Sequence, residues 1–236
     1  MRRDSERRPQ KKRRWWRGWL TRVAARLLLS LAGLGAPALS SADLGAITVE
    51  AGGVWRYGEV QPSTGQGDSV SGSLVGAWGT VRYGLTNNFE LEGLGFWEAP
   101  ATFVHGQVTV PSAAGNVTGA LTQDVSRWGG AVGARYIVAG LVWRLPVGLD
   151  LGLMHTTATN RDLLNTSNPA GATSLGLTLG DGVSNQLLVA PFAGIEWLAS
   201  DHFRISVMPH LEFLAGGGST VGLVVPLTLG WSWYLF

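Results

Sequence analysis

The stretch Phe89-Glu90-Leu91-Glu92-Gly93-Leu94-Gly95-Phe96-Trp97-Glu98 decides the fold. Phe89, Leu91 and Trp97 share one parity, and Glu90, Glu92 and Glu98 share the other. Successive side chains leave a β-strand on opposite sides, so this period of two marks a strand with two unlike faces. The pattern recurs. Ile47, Val49, Ala51, Trp55 and Tyr57 oppose Thr48, Glu50 and Arg56. Phe203, Ile205, Val207, Leu211 and Phe213 oppose Arg204, Ser206, His210 and Glu212. No run after residue 43 holds the 18 or so apolar residues of a spanning helix.

Eight such segments are legible, over 45–58, 71–84, 89–99, 126–143, 148–159, 185–197, 203–214 and 220–236. Three connections are short: Leu85 to Asn88, Arg144 to Val147 and Leu198 to His202. The others, 59–70, 100–125, 160–184 and 215–219, are mostly longer and rich in Gly, Ser, Asn and Asp. Alternating lengths predict an all-β, eight-stranded antiparallel up-and-down barrel with short periplasmic turns and long outer loops. Pro191, Pro209 and Pro226 fall inside these segments. Each removes a ladder donor, so bulges or shifted boundaries are expected there.

Charge divides the chain. Residues 1–42 hold eleven of the eighteen Lys and Arg and two of the sixteen acids, a net of +9. Residue 43 onward holds seven Arg, no Lys and fourteen acids, a net of −7. The basic balance therefore belongs to the leader and does not indicate a nucleic-acid partner. Basic residues, an apolar run from Leu27 to Leu39 and then Ser40-Ser41-Ala42 form the layout of a cleaved secretory signal peptide over 1–42. The barrel domain is then 43–236. The absence of cysteine excludes disulfides, thiol chemistry and lipoprotein attachment.

A soluble barrel turns its apolar face inward and a lipid-embedded barrel turns it outward. Three features favour lipid. Trp55, Tyr57, Tyr83, Phe89, Trp97, Trp128, Trp143, Trp197, Phe203, Trp231 and Trp233 gather near segment ends, where interface girdles sit. Lys is missing from the mature part. The chain also ends in Tyr234-Leu235-Phe236, and Tyr234 with Phe236 resembles the assembly signal of outer-membrane barrels. The expected partners are outer-membrane lipid and the barrel assembly machinery, with a monomer as the expected state.

The run Val81-Arg82-Tyr83-Gly84-Leu85-Thr86-Asn87-Asn88-Phe89-Glu90-Leu91 is similar to a Tyr-Gly-Leu-Thr-(Asp/Asn)-x-(Leu/Phe)-Glu-Leu turn. That turn occurs in the outer-membrane transporter family associated with the meta-pathway of phenol degradation. The resemblance implies a tight periplasmic hairpin and a transport role. The length of the mature chain is nearer the small OmpA, OmpX and OmpW class.

The candidate functional residues are charges on the inward parity: Glu50, Arg56, Arg82, Glu90, Glu92, Arg135, Asp150, Glu196, Arg204 and Glu212. Charge at membrane depth is costly unless paired or hydrated, so these residues form either a salt-bridged plug or a narrow polar pathway. Arg82 and Arg204 are expected to pair with carboxylates such as Glu90, Glu92, Glu196 or Glu212. Leu94, Phe96, Leu188, Phe192 and Met208 are expected to line a local apolar pocket. No catalytic residue is expected. His210 is followed by Leu211-Glu212 rather than by the x-Ser of a lipid A deacylase, and His105, placed in a loop, has no nucleophile marked beside it. Neither metal-site spacing nor a phosphate-binding loop occurs, so no metal or cofactor is expected. The function reads as a small transport or pore-type barrel, with a structural or surface-interaction barrel as the alternative.

Overall fold

The computed structural model describes residues 44–113, 115–138, 142–165, 173–177, 179–216 and 220–235. The expected signal peptide over 1–42 and the expected assembly residue Phe236 lie outside the described residues. The strands are β1 (Ala46–Val60), β2 (Val70–Gly84), β3 (Phe89–Ser112), β4 (Gly115–Val138) and β5 (Trp143–Leu164), followed by β6 (Gly182–Ala193), β7 (Ile195–Leu198), β8 (Phe203–Val207), β9 (His210–Ala215) and β10 (Thr220–Tyr234). All pairings are antiparallel, and β1 closes on β10 from Ala46 opposite Tyr234 to Gly58 opposite Gly222. A break at Gly194 divides one stave into β6 and β7, and Met208-Pro209 divides another into β8 and β9. The wall is thus an eight-stave, all-β, up-and-down barrel.

The prolines explain those breaks. The Gly194 amide donates to the Pro146 carbonyl at 2.9 Å, Ala193 N to Pro209 O at 3.3 Å, and Met208 N to Pro226 O at 3.4 Å. Pro146, Pro209 and Pro226 lack the N–H that would answer in the ladder. The irregularities consequently line up across adjacent staves. Pro191 stays in register opposite Leu149.

Two expected connections are corrected. Residues 100–125 are mostly strand, with β3 and β4 meeting in a tight turn after Ser112. Register shifts between Glu98 and Ala101 and between His105 and Val108 explain the difference. Each bulge adds a residue and flips the inward parity, so Glu98, Phe103, His105, Val108 and Val110 are all buried although they do not share one period-two series. The second correction concerns 144–147. β5 already begins at Trp143, and Pro146 is opposite Ile137. The charge of Arg144 mimics a turn, but its side chain is buried inside the barrel.

The outside of the wall is apolar. Along β4, Tyr136, Val132 and Trp128 are exposed, while their neighbours Arg135, Ala131 and Arg127 on the other parity are buried. From Tyr136 to Trp128 a tilted strand rises about 21 Å, close to the height of an apolar transmembrane band. Beyond Trp128 the outward positions become polar, with Asp124 accepting from Thr102 at 2.5 Å and from Asn160 at 2.7 Å. Trp97 and Trp128 face each other at one boundary, as do Trp143 and Trp197 at the other. Outward apolar side chains would be penalised in water and are stabilised in lipid, so this is a transmembrane barrel.

Candidate functional site

The interior is charged because every second residue of each stave points into it. Eight staves enclose a space that side chains nearly fill. Toward the end carrying the short turns, β7 places Glu196 at the centre. Its carboxylate accepts from Arg82 at 3.0 Å, Arg135 at 3.1 Å and Arg204 at 2.7 Å, with Arg144 at 3.9 Å. Glu90 accepts from Arg135 at 2.7 Å and lies 3.5 Å from Arg82. Glu50 pairs with Arg82 and accepts from Thr80 at 3.3 Å and from Ser206 and Thr228 at 3.1 Å each. Hydroxyls from three staves thus satisfy lone pairs that the arginine leaves, the condition under which a buried carboxylate is tolerated.

Glu92 and Asp150 occupy one lateral row of the wall, on either side of Gly133, and Arg82 is the ladder partner of Glu92. Among the described residues Arg82 forms its ion pairs with Glu50, Glu90 and Glu196 rather than with Glu92. Asp150 faces His210, Oδ2 to Nε2, at 3.1 Å. The His210 ring rests between Trp78 and Phe192, with centroids 5.2 and 4.7 Å away.

Above this network lies an apolar belt of Val54, Trp78, Leu94, Phe96, Met154, Leu188, Leu214 and Val224. One row shows how it packs. Gly52, Trp78, Phe96, Gly129 and Met154 are successive ladder partners. Trp78 stacks on Phe96 at 5.8 Å, and Gly129 leaves room for the Phe96 ring. Leu94, Phe96 and Leu188 join this belt, whereas Phe192 lies tilted against the His210 ring and Met208 offers its sulfur to Arg135 at 3.4 Å. The five residues expected to share an apolar pocket are all buried but are divided between the belt and the charge network.

Beyond the belt is a second charge cluster. Arg56 pairs with both Glu98 and Glu212 and lies 5.0 Å from the Phe96 ring centre. All ten expected lumen charges are therefore buried and inward. They form two groups separated by apolar packing, not one continuous network. Sequence reasoning omitted Glu98, Arg127, Arg144 and Gln123, although the parity of Glu98 was legible and Arg127 stands at the same parity as Arg135.

His105 is a buried strand residue, not a loop residue. Its Nδ1 meets the Asp68 carbonyl at 3.1 Å and its Nε2 meets Gln123 Nε2 at 2.9 Å. Tyr234, exposed at the end with the short turns, donates its hydroxyl to the Asp201 carbonyl at 2.8 Å.

No family model matches this chain, and no curated protein matches it. Among solved structures, Neisserial surface protein A is similar at a TM-score of 0.51 and 9% identity, covering 81% of this chain and 99% of its own. The attachment invasion locus protein Ail of Yersinia pestis gives 0.48 at 12% identity, covering 80% and 99%. The outer membrane protein OprG of Pseudomonas aeruginosa gives 0.47 at 16% identity, covering 83% and 99%. At such identities the first of these likenesses supports the fold alone: a small eight-stranded outer-membrane type of barrel.

Proposed function

We propose that this chain is an outer-membrane barrel of the small-solute transport type, held closed by the ion pairs of its lumen. The observation that carries the reading is Glu196, buried among four arginines from four different strands inside an apolar-walled barrel. Arginine and carboxylate pairs exchange partners by rotating side chains, without breaking the wall, so a charged plug is a physically reasonable gate. The leader, the wall and the terminal Tyr-x-Phe fit export to the outer membrane, with the short turns on the periplasmic side. The hairpin resemblance over 81–91 agrees with that placement and names no solute.

Planar-bilayer conductance of the refolded chain tests the gate. Wild type should open rarely, and Glu196→Gln, which leaves the arginines repelling one another, should open more often. If both variants fold and neither conducts, the transport reading fails. A surface-interaction role then follows from a different observation: the ends of β3, β4 and β5 carry their own apolar core of Val108, Val110, Leu121 and Leu163 beyond the Trp128 boundary.

A further inference from the structure

At the loop end of the lumen lies a cavity of about 160 Å³, lined by residues from β1, β4, β5, β6 and β10 and from the connection after β1. Arg127 is one of its walls and is 5% exposed. Its Nη2 donates to the Glu59 backbone carbonyl at 3.2 Å, and its Nε has no hydrogen-bond partner among the described residues. Thr156, directly opposite Arg127 on β5, also lines the cavity, and its buried Oγ1 likewise has no partner.

The neighbouring charges do not supply what is missing. Arg56 takes both Glu98 and Glu212, and no carboxylate among the described residues pairs with Arg127. The cluster is balanced in total charge but uneven in geometry. A buried guanidinium with a free N–H costs free energy that an anion would recover. The two amide side chains of the lining are already engaged: Gln123 donates to the Gln61 carbonyl at 3.1 Å and accepts from Ser63, and Gln186 donates to the Gly216 carbonyl at 3.1 Å.

We infer that this cavity is a binding site for a compact monoanionic carboxylate, held by Arg127 and by the Thr156 hydroxyl. The planar fork of a guanidinium matches a flat carboxylate. A dianion is disfavoured because Glu98, the ladder partner of Arg127, and Glu212 already place two negative charges in the same cluster. The volume admits a molecule of a few heavy atoms and excludes a polymer. The inference goes beyond the gate, since binding at the mouth requires no passage through the plug.

Calorimetric titration of the refolded full chain in detergent tests it, with acetate, acetamide and inorganic phosphate as probes. Acetate should bind, acetamide should not, and phosphate should bind more weakly. Arg127→Gln should weaken acetate at least about tenfold, the effect of losing one charge-assisted contact, and Arg127→Lys should retain part of the affinity. Thr156→Val should weaken it several-fold and serves if Arg127→Gln does not refold, while Arg161→Gln should leave it unchanged. The inference is overturned if acetate does not bind, if acetamide binds equally, if phosphate binds more tightly, or if acetate binding survives both Arg127→Gln and Thr156→Val. Because conductance plays no part in this readout, failure of the gate and failure of the site are separately visible.

Discussion

Arg82 of β2 and Glu196 of β7 are 114 residues apart in the chain and meet at 3.0 Å inside the barrel. Arg82 simultaneously reaches Glu50 and Glu90, so one guanidinium ties the first three staves to the interrupted sixth. Truncating it takes from Glu50 its arginine partner and from Glu90 and Glu196 one partner each, in a poorly hydrated interior. Arg82→Ala should therefore cost about 3–5 kcal/mol, the range for breaking a buried pair. Asp162, near the loop end, accepts from Ser174 at 2.6 Å, and Asp162→Ala should cost under about 1 kcal/mol. Denaturant titration of refolded samples checks both. Equal midpoints for the two variants would remove the polar plug as a stabilising element.

The apolar belt depends on a glycine beside the ring pair, Gly129. A Cβ on Gly129 would come within 2.7 Å of Phe96 Cζ and closer still to the Leu153 carbonyl, whereas one on Gly93 would meet nothing within 4 Å. Gly129→Ala should destabilise the barrel by about 1–3 kcal/mol through overpacking. Gly93→Ala, on the outward parity of the same sheet, should be near neutral or mildly stabilising. Thermal unfolding of the two variants separates local crowding from a general dislike of replacing glycine.

Connection geometry sets a topology experiment. The segment 165–181 joins β5 to β6, whereas 100–111 is held in the β3–β4 ladder. With the loop end outside, protease added to intact cells should cut within 165–181 and leave 85–88 and 100–111 whole, because a strand in a ladder cannot enter a protease cleft. Cuts confined to 85–88 would invert the orientation.

The leader gives an independent check on export. The envelope form should begin at Asp43 when its N-terminus is sequenced. A mature protein that keeps Trp15 and Trp16 would show that the basic and apolar regions serve another purpose.

Much of this molecule is legible in its sequence. The alternation of Phe89 to Glu98 specifies a two-faced strand, and its repetition specifies the staves, because strand periodicity is local. Glu90, Glu92, Arg135 and Arg204 could be assigned to the lumen by parity alone. The girdle aromatics and the missing lysines pointed to lipid for the same local reason. Tertiary structure decided what depends on register and closure. The bulges after Glu98 and His105 flip parity, so the strand character of 100–125 emerges only when β3 is laid against β4. Which carboxylates Arg82 takes was not set by ladder pairing: Glu92 is its ladder partner, yet its ion pairs go to Glu50 and Glu90 on the flanking staves and to Glu196 across the lumen. Curvature brings together side chains from staves that never touch as neighbours. The same closure separates the inward charges into two groups with an aromatic belt between them, and leaves Arg127 at the mouth with an unanswered donor.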